Sequence, residues 1–536
     1  MKSITKILIC LLALCLLLPC IASCKKKGGS GHHQKPPAGD DSQQTTPVGG
    51  GSDHVGDPEV TTDPDADIVM PELVDMGGYT YRAYVRDHAG DTLEEQLQHG
   101  NNFYKCIDFW IDEANSENDI ISYAVYSRNS RIEADYNCKI RQVSSNGSQI
   151  DHLRTSYTNG DGYELTIISA KPAAQAATQN LLRDINDMPY LDLTHPSFDQ
   201  NSIDELSFQD RLYYISGDMN ISTLEVAGLS LVNMDLYAKL VDGIVELFEG
   251  NVAYSDIYTL VMSQKWTWDT MMKIATLANI DVDETDGDLS VIDKGDTIGY
   301  HQYLNSTLWY FYAAGGRITD KNDEGIPELV IDSERNQNLA NYLYDHLNHV
   351  ISVPWIPNSY SAILDQNFLT GDVLFMDCSL YEIRMEIYPY CEFEYGILPC
   401  PIYQEGENYN SVIFFNNWAH LWAVPTVNEN YEMAQRMMQI MTVYSSLHES
   451  TMHAYYDRTI YLNAAPDNGS RQVLDVIRRS LVYDIALMYD WGGLETTLNE
   501  LATESSNPYG PAIGTLSTKV QPLIDETVEK LKNPEE

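Results

Sequence analysis

Alternating apolar and polar residues open the part of the chain that is expected to fold. From Tyr79 to Arg86, apolar positions alternate with largely polar ones, and this two-residue period predicts a β-strand with one buried face. From Asp119 to Tyr136, apolar residues instead return every three to four positions, which predicts an amphipathic helix. Strand and helix patterns then alternate as far as Ile185, and this order predicts a parallel, doubly wound sheet.

The same α/β pattern continues along the rest of the chain. Strands are predicted at 139–144, 163–169, 211–216, 224–232, 309–313, 328–331, 373–376, 396–398 and 411–424. Helices are predicted at 150–158, 171–185, 267–278, 432–447, 472–489 and 513–531, with another that begins after Ser333. No segment of 20–50 residues repeats, so the sequence predicts an α/β fold and argues against a solenoid.

The first 24 residues have the layout of an export signal. Lys2 and Lys6 precede twelve consecutive apolar residues at 7–18, which is short of the roughly 20 needed to span a bilayer. The closing sequence Ile21-Ala22-Ser23-Cys24 resembles a bacterial lipobox. That resemblance implies that residues 1–23 are a signal peptide and that Cys24 becomes lipidated after cleavage. The alternative is an ordinary signal peptide with a cysteine near its end.

A polar tract separates Cys24 from the first predicted strand. Residues 24–67 consist mostly of Gly, Ser, Pro, Thr, Gln, His, Lys and Asp, and they carry too few apolar side chains to fold. A flexible chain of about 45 residues reaches roughly 35 Å, about one domain diameter. The sequence therefore predicts a disordered tether that holds a soluble body at the extracellular face of the cell membrane through the lipid alone.

The net charge limits which kinds of partner the protein can bind. The chain has 78 Asp and Glu residues against 33 Lys and Arg residues, for a formal net charge of −45. A nucleic-acid binder needs a basic stripe, and none follows the three lysines at 25–27, so nucleic acid is excluded as a partner.

The cysteines beyond the signal are odd in number and irregularly spaced, which favours buried thiols and leaves open a disulfide between the last two. They are Cys106, Cys138, Cys378, Cys391 and Cys400.

Motifs for catalysis or cofactor binding are missing from the sequence. No G-x-S-x-G, P-loop or dinucleotide fingerprint occurs, and no cofactor is predicted. His448-Glu449 and His453 invite a metalloprotease interpretation, but a zinc helix needs its histidines four residues apart and these are five apart. On a continuous helix the two rings would lie about 140° apart, so a surface helix end is the preferred interpretation.

One acidic stretch is a weak candidate for a calcium site. Its carboxylates surround a glycine, as a site for a hard cation requires. The ligands are Asp281, Asp283, Asp286 and Asp288. An EF-hand would need acidic side chains where Thr285 and Ile292 stand, so a solvated acidic turn is the simpler interpretation.

A set of short motifs, in order, resembles the extracellular solute-binding proteins of ABC importers (family 1). These are the two-lobed, sugar-type receptors of Gram-positive bacteria. The motifs are Leu181-Leu182-Arg183-Asp184-Ile185, Leu191-Asp192-Leu193, Arg211–Asp218, Leu229–Asn233, Lys265–Asp269, Ala314-Gly315-Gly316-Arg317, Tyr395–Pro399 and Ala454-Tyr455-Tyr456. The resemblance covers roughly Tyr79 to Asp490. It implies a type II periplasmic-binding-protein-like fold, in which two lobes, each a doubly wound sheet flanked by helices, are joined by crossover hinge strands.

The resemblance also implies lobe boundaries and a function. The first lobe would comprise residues 68–223 and about 424–454, and the second lobe residues 224–423 and about 455–536. The protein would be a monomeric receptor, not an enzyme, that captures a sugar or oligosaccharide and delivers it to an ABC permease. Two alternatives remain open at this point: a surface glycan hydrolase, and an adhesin or sensor that uses the same fold without transport.

Aromatic and polar residues at strand ends are the candidate ligand contacts. The chain has 36 Tyr and 8 Trp residues, whose rings can cover the apolar face of a sugar while Asn, Asp and hydroxyl groups bind its rim. Asn417 and Trp418, in the return crossing, are the strongest candidates, and each candidate has a packed core or interface position as its alternative. The others are Ser169, Asp218, Asn220, Asp377 and Tyr381, with Trp309 and Trp355 ranked last.

Overall fold

The computed structural model describes residues 64–86, 106–117, 119–145, 148–186, 188–280, 295–301, 306–349, 352–353, 368–413, 419–502 and 506–532. The strands of these residues are β1 (Tyr79–Arg86), β2 (Cys138–Ser145), β3 (Leu165–Ser169), β4 (Gly228–Asn233), β5 (Ile298–His301), β6 (Thr319–Lys321), β7 (Pro327–Leu329), β8 (Ser352–Val353), β9 (Val373–Ser379), β10 (Tyr395–Leu398), β11 (Ser411–Val412), β12 (His420–Ala423) and β13 (Leu481–Val482). They form two main sheets and two small ladders.

The α-helices of the described residues are α1 (Ile120–Asp135), α2 (Gln149–Asn159), α3 (Ala170–Thr178), α4 (Gln200–Leu206), α5 (Ile221–Glu225), α6 (Met234–Lys239), α7 (Val241–Leu247), α8 (Ile257–Met262), α9 (Trp268–Ala278), α10 (Ser306–Ala313), α11 (Glu334–His349), α12 (Leu380–Glu382), α13 (Tyr431–Ser446), α14 (Asn468–Arg479), α15 (Ile485–Tyr489), α16 (Leu494–Asn499) and α17 (Tyr509–Lys532). A first π-helix (Ile383–Ile387) follows α12, and a second π-helix (His453–Ala464) follows α13. Short 3₁₀ turns occur at Glu113–Asn115, Val252–Ser255 and Glu500–Ala502.

The first main sheet has the strand order β12-β3-β1-β2. β1 pairs in parallel with β2 and with β3, whereas β12 runs antiparallel to β3. The parallel strands are connected through α1 and α2, because a parallel pair needs a crossover on one face of the sheet. β12 comes from a much later part of the chain, so the chain returns to this sheet after it has built the second.

The second main sheet has the strand order β10-β4-β9-β5-β8. β5 is parallel to β8 and β9, whereas β4 is antiparallel to both of its neighbours. Every residue of β4 and β9 is buried, which agrees with helices covering both faces of the sheet. Each sheet with its helices is one lobe of a two-lobed α/β fold.

Polar side chains at helix starts explain several of the boundaries. Asp119 accepts a hydrogen bond from the Ser122 N–H at 2.8 Å, which caps α1. Thr267 accepts from the Thr270 N–H at 3.2 Å and caps α9, as the sequence predicts. Such caps satisfy backbone donors that a helix leaves unpaired in its first turn.

The first lobe follows the sequence prediction closely. The predicted elements from Tyr79 to Ser169 are confirmed as β1, α1, β2, α2 and β3, with ends that move by at most two residues. The helix predicted at 432–447 is confirmed as α13, and its Met437 and Met441 side chains are fully buried in the core. All five described cysteines are free thiols, so Cys391 and Cys400 do not pair.

Two predicted strands are wrong. Residues 211–216 make only isolated bridges, of Arg211 with Phe208 and of Ile215 with Trp422. Residues 309–313 belong to α10, which is buried on every side. A segment without polar positions has no period that distinguishes a strand from a buried helix.

Other predicted elements are too long. The helix predicted to reach Ile185 ends at Thr178, because Asn180 takes up a left-handed conformation with φ of 55°. The strand predicted at 224–232 divides into α5 and β4, and the helix predicted at 472–489 divides into α14, β13 and α15. The long strand predicted at 411–424 contains β11 and β12, and residues 414–418 between them lie outside the described residues.

Candidate functional site

The chain passes between the two lobes beside α5. Ala227, which precedes β4, forms an antiparallel bridge with Ile413, which follows β11. The outgoing and returning segments therefore run side by side where the lobes meet. We call this region the junction.

α5 is fixed to the first lobe by the residue that caps it. The Asn220 side-chain oxygen accepts from the Ser222 hydroxyl at 2.6 Å and from the Thr223 N–H at 3.4 Å. Its amide nitrogen donates to the backbone oxygen of His420, the first residue of β12. Asn220 was predicted as a ligand contact; its side chain makes these internal bonds, and its role in ligand binding stays a prediction.

The other end of α5 reaches the second lobe. Glu225, the last residue of α5, accepts a hydrogen bond from Arg384 Nε at 2.6 Å, and Arg384 lies in the π-helix that follows β9. Burial raises the pKa of Glu225, although the Arg384 charge acts in the opposite direction. The second carboxylate oxygen, Oε2, is buried and has no hydrogen-bond partner among the described residues.

Two adjacent tyrosines add further unpaired oxygens to the junction. Tyr455 and Tyr456 lie in the second π-helix, and both hydroxyl groups are buried without a partner among the residues that the structure describes. Burial raises the pKa of Tyr455, and the nearby Glu225 charge raises it further. Arg384 Cζ lies 5.7 Å from the ring centroid of Tyr381, so this predicted residue borders the same group.

We call Glu225, Tyr381, Arg384, Tyr455 and Tyr456 the junction cluster. Its members come from three segments that are far apart in sequence, namely α5, the end of β9 with its π-helix, and the second π-helix. A buried polar atom without a partner costs about 1–3 kcal/mol, so three such oxygens at one place indicate a site that a polar ligand or water completes. A carboxylate and phenol groups can exchange hydrogen bonds with hydroxyls, while the rings supply apolar surface.

A second carboxyl group lies on the first-lobe side of α5. Asp108 accepts from the Ser222 N–H at 3.2 Å and from Cys106 Sγ at 3.1 Å. Burial raises its pKa, and its charge contributes to the raised pKa of Glu225. Both oxygens of Asp108 are already engaged, so its role is to hold α5 in place.

A pocket of about 270 Å³ opens beside the junction. Asp218, predicted as a ligand contact, lines it and accepts a hydrogen bond from Arg478 Nη2 at 2.9 Å. Arg478 in turn lies over the ring of Tyr456, with Cζ 4.8 Å from its centroid. Burial raises the pKa of Asp218, and the Arg478 charge opposes that shift. The pocket is therefore lined by residues of both lobes and lies beside the junction cluster.

The other predicted residues within the described ranges occupy separate positions. Ser169 ends β3, where its hydroxyl accepts from Gln149 Nε2 at 3.0 Å and its N–H donates to Gln149 Oε1 at 2.8 Å. Trp309 is buried in α10, and its ring packs on the backbone of Gly228 at the start of β4. Their role in ligand binding stays a prediction.

Asp377 lies inside the second lobe. Its carboxylate accepts from the Tyr300 and Tyr310 hydroxyls, from Ser306 Oγ at 2.6 Å and from Ser230 Oγ at 2.9 Å. Burial raises the pKa of Asp377 to about 6, although these four donors lower it. The side chain thus connects β4, β5, β9 and α10, and its hydrogen-bonding capacity is used within the lobe.

Several predicted residues lie outside the described residues. They are Cys24, Trp355, Asn417 and Trp418, together with Asp281, Asp283, Asp286 and Asp288 of the acidic stretch. Among the described residues, no group of three or more His, Cys, Asp or Glu side chains is arranged to hold a metal ion. In the same ranges, no helix combines the length and the apolar character needed to cross a bilayer.

Most of the junction cluster was missed from sequence. Glu225 fell inside a predicted strand, and Arg384 carried no motif of its own. Tyr455 and Tyr456 were noted as part of a family-like motif but were given no role. The signal that was present is the pair of adjacent tyrosines, since aromatic side chains with hydroxyl groups suit a polar ligand with apolar faces.

Comparisons with known proteins identify the fold. No protein-family profile matches the chain, and no curated protein matches it. The crystal structure of UspC from M. tuberculosis is 14% identical, with a TM-score of 0.50, and the match covers 84% of this chain and 100% of that one. A cyclo/maltodextrin-binding protein complexed with maltotetraose is 13% identical, with a TM-score of 0.50 and coverage of 86% and 98%.

A third structure, the ABC substrate-binding protein Lmo0181 from Listeria monocytogenes in complex with cycloalternan, is 13% identical, covers 85% and 99%, and has a TM-score of 0.45. The fold assignment rests on the first two structures. The chain therefore has the two-lobed, periplasmic-binding-protein-like α/β fold that the sequence predicts.

Proposed function

We propose that this protein is a lipid-anchored, extracellular solute-binding protein that captures a small solute, a sugar or oligosaccharide, for an ABC importer. The observation that carries the proposal is the junction cluster, in which Glu225 Oε2 and the Tyr455 and Tyr456 hydroxyls are buried without partners among the described residues. These groups lie where the two lobes meet, which is where ligands bind in two-lobed α/β proteins. The maltotetraose complex of a protein with the same fold supports a carbohydrate ligand.

The chemistry of the cluster suits a polyhydroxylated ligand. A sugar hydroxyl can donate to Glu225 Oε2 and accept from a tyrosine hydroxyl, so one ligand satisfies several groups that are otherwise unpaired. The partly exposed Tyr381 ring offers apolar surface to the face of a pyranose. Arg384 pairs with Glu225 at 2.6 Å, so this carboxylate does not require a cationic ligand.

The mechanism that we propose is closure of the two lobes around the ligand. α5 is hydrogen-bonded to β12 in the first lobe and to Arg384 in the second, so a ligand at the junction contacts groups that move with both lobes. Hinge closure then buries the ligand, and no covalent bond changes. The lobes would be divided close to where the sequence indicates, except that β12 moves the return to the first lobe to His420, so that this lobe would hold residues 68–223 and about 420–454.

Anchoring and delivery belong to the same proposal. The lipobox-like sequence ending at Cys24 and the polar tract at 24–67 support a receptor that is tethered by lipid to the outer face of the cell membrane. The permease of an ABC importer would be its partner, and the receptor would act as a monomer.

The alternative of a surface glycan hydrolase is less well supported. Glycosidases need a pair of carboxyl groups whose environments push their pKa values apart. At the junction, burial raises the pKa of Asp108 and of Glu225 alike, and Arg384 occupies Glu225. An adhesin or sensor that keeps the fold without transport differs only in its partner, and loss of sugar uptake on gene deletion would distinguish it from an import receptor.

The test is a ligand screen on the purified full chain in mild detergent. Melting temperatures are measured with sugars, oligosaccharides, amino acids and peptides, and every hit is followed by calorimetry and by product analysis. A ligand that binds only the folded state raises the melting temperature by mass action. We expect a shift with one carbohydrate class and no product. A shift with amino acids or peptides alone, or turnover of a glycan, would contradict the proposal.

A further inference from the structure

The turn between α13 and the second π-helix brings two histidines together. His448 and His453 are five residues apart, a spacing that separates their rings on a continuous helix. The chain is not a continuous helix here, since α13 ends at Ser446 and Glu449 takes up a left-handed conformation with φ of 64°. As a result, the two ring centroids lie only 4.3 Å apart.

A carboxylate orients one of the two rings. His453 Nδ1 lies 2.9 Å from Asp457 Oδ2, one turn further along the second π-helix. When Nδ1 donates to that carboxylate, the lone pair of the ring is on Nε2, the arrangement by which a carboxylate prepares a histidine to bind a metal. His448 is exposed at the surface, so its ring is accessible from solvent.

We propose that His448 and His453 form a surface site for a divalent transition-metal cation of the Zn²⁺ and Cu²⁺ class, with Asp457 as a positioning residue. Imidazole nitrogens bind such ions at about 2.0–2.1 Å, and each ring centroid lies about 1.1 Å behind its nitrogen, so two rings on one ion have centroids roughly 4.5–5.2 Å apart for bond angles of about 90–109°. The observed separation of 4.3 Å is just below that range, and binding needs only a small rotation of the exposed His448 ring away from His453. Imidazole is a ligand that these ions prefer over Ca²⁺ or Mg²⁺.

The site differs from a structural zinc site. Two protein nitrogens leave the remaining coordination positions to water, which agrees with the lack of any three-residue metal cluster among the described residues. The strongly acidic chain, with its formal net charge of −45, attracts divalent cations to its surface and so favours binding.

The position of the pair gives the bound ion a structural effect. The His448 N–H donates to Asp65 Oδ1 at 2.7 Å, and Asp65 belongs to the first described segment of the chain. His453 opens the π-helix that carries Tyr455 and Tyr456. An ion held by both histidines therefore fixes the turn between α13 and the second π-helix, together with the N-terminal segment that is hydrogen-bonded to this turn.

The experiment is a Cu²⁺ titration of the full chain followed by electron paramagnetic resonance, since Cu²⁺ binds most tightly among these ions. We expect the first equivalent to show hyperfine splitting from two imidazole nitrogens. His448→Gln and His453→Gln should each remove one nitrogen from that signal and weaken binding at least tenfold. Asp457→Asn should keep both nitrogens and weaken binding about tenfold, the effect of losing an orienting partner.

The tether supplies the matched control. His32 and His33 are adjacent histidines in that tract, so His32→Gln/His33→Gln should leave the first equivalent unchanged. A two-nitrogen signal that persists in both His448→Gln and His453→Gln, or that disappears with the tether variant, would overturn the proposal. Because His448 is exposed, its substitution should not disturb folding, and thermal melts of each variant check this point.

Discussion

Removing one hydroxyl from the junction cluster should separate ligand binding from stability. In Tyr455→Phe the aromatic ring is kept and only the hydroxyl is lost. That hydroxyl is buried and has no hydrogen-bond partner among the described residues. An unpaired buried hydroxyl costs a folded protein about 1–3 kcal/mol, so its removal should leave the ligand-free protein as stable as before or more stable by up to that amount.

The same change should weaken ligand binding. If the ligand supplies the missing partner, Tyr455→Phe loses one hydrogen bond in the complex, which contributes about 0.5–1.5 kcal/mol. The dissociation constant should therefore rise about two- to tenfold. Tyr456→Phe should behave in the same way, because its hydroxyl is also buried and unpaired among the described residues.

Tyr444→Phe is the matched control. The Tyr444 hydroxyl donates to Asp135 Oδ2 at 2.8 Å and lies outside the junction cluster. Its loss should destabilise the protein by about 1 kcal/mol, since Asp135 is partly exposed, and should leave ligand affinity unchanged. Urea unfolding gives the stabilities and isothermal calorimetry gives the affinities, with the ligand identified by the thermal screen.

The reasoning is refuted if Tyr455→Phe destabilises the ligand-free protein as Tyr444→Phe does. That result would mean that the Tyr455 hydroxyl already has a partner in the folded chain. Unchanged affinity in both Tyr455→Phe and Tyr456→Phe would remove the two hydroxyls from the site.

Three further predictions test the pH response, the core and the anchor. Burial raises the pKa of Glu205 from 4.5 to about 7. The protonated side chain therefore contributes stability that is fully present below about pH 4.5 and is lost as the pH rises through 7. Glu205→Gln should therefore flatten the pH dependence of the melting temperature between pH 4.5 and 8, and should raise the stability at pH 8 by at most about 3 kcal/mol. An unchanged pH dependence would show that Glu205 does not titrate in this range. Gly228→Ala places a methyl group 2.7 Å from Trp309 Cγ and should destabilise the protein by about 1–3 kcal/mol, as measured by urea unfolding. Gly510→Ala is the control, because the added methyl group has no atom within 4 Å and should not destabilise the protein. Equal stabilities of the two variants would count against the packing of Trp309 on β4. Cys24→Ala should abolish lipid labelling and membrane association, and labelling that survives the change would disprove the anchor.

The fold could be predicted where polar and apolar residues alternate. β1, α1 and β2 each expose one face, so their periods are visible in the sequence. α10 is buried all round and was mistaken for a strand, because nothing polar marks its turns. The left-handed backbone conformation of Asn180 ends a helix, and the spacing of apolar residues gives no sign of that conformation.

The site was harder to predict than the fold. Glu225, Arg384 and Tyr455 are separated by well over 50 residues from one another, and only the folded chain brings them together. Asp218 and Tyr381 were chosen because they lie at strand ends or crossings; Tyr381 belongs to the junction cluster, and Asp218 lies beside it. Asn220 and Asp377 satisfied the same rule, but their side chains are used by internal hydrogen bonds, which a sequence does not reveal.

The second π-helix has a consequence for how the junction can be altered without changing the sheets. A π-helix arises when one residue is added to an α-helical turn, and the wider turn brings consecutive side chains closer to the same side. Tyr455 and Tyr456 can therefore both reach the junction from adjacent positions. Insertion or deletion of a single residue within His453–Ala464 should therefore exchange which side chains face the junction while both sheets stay intact.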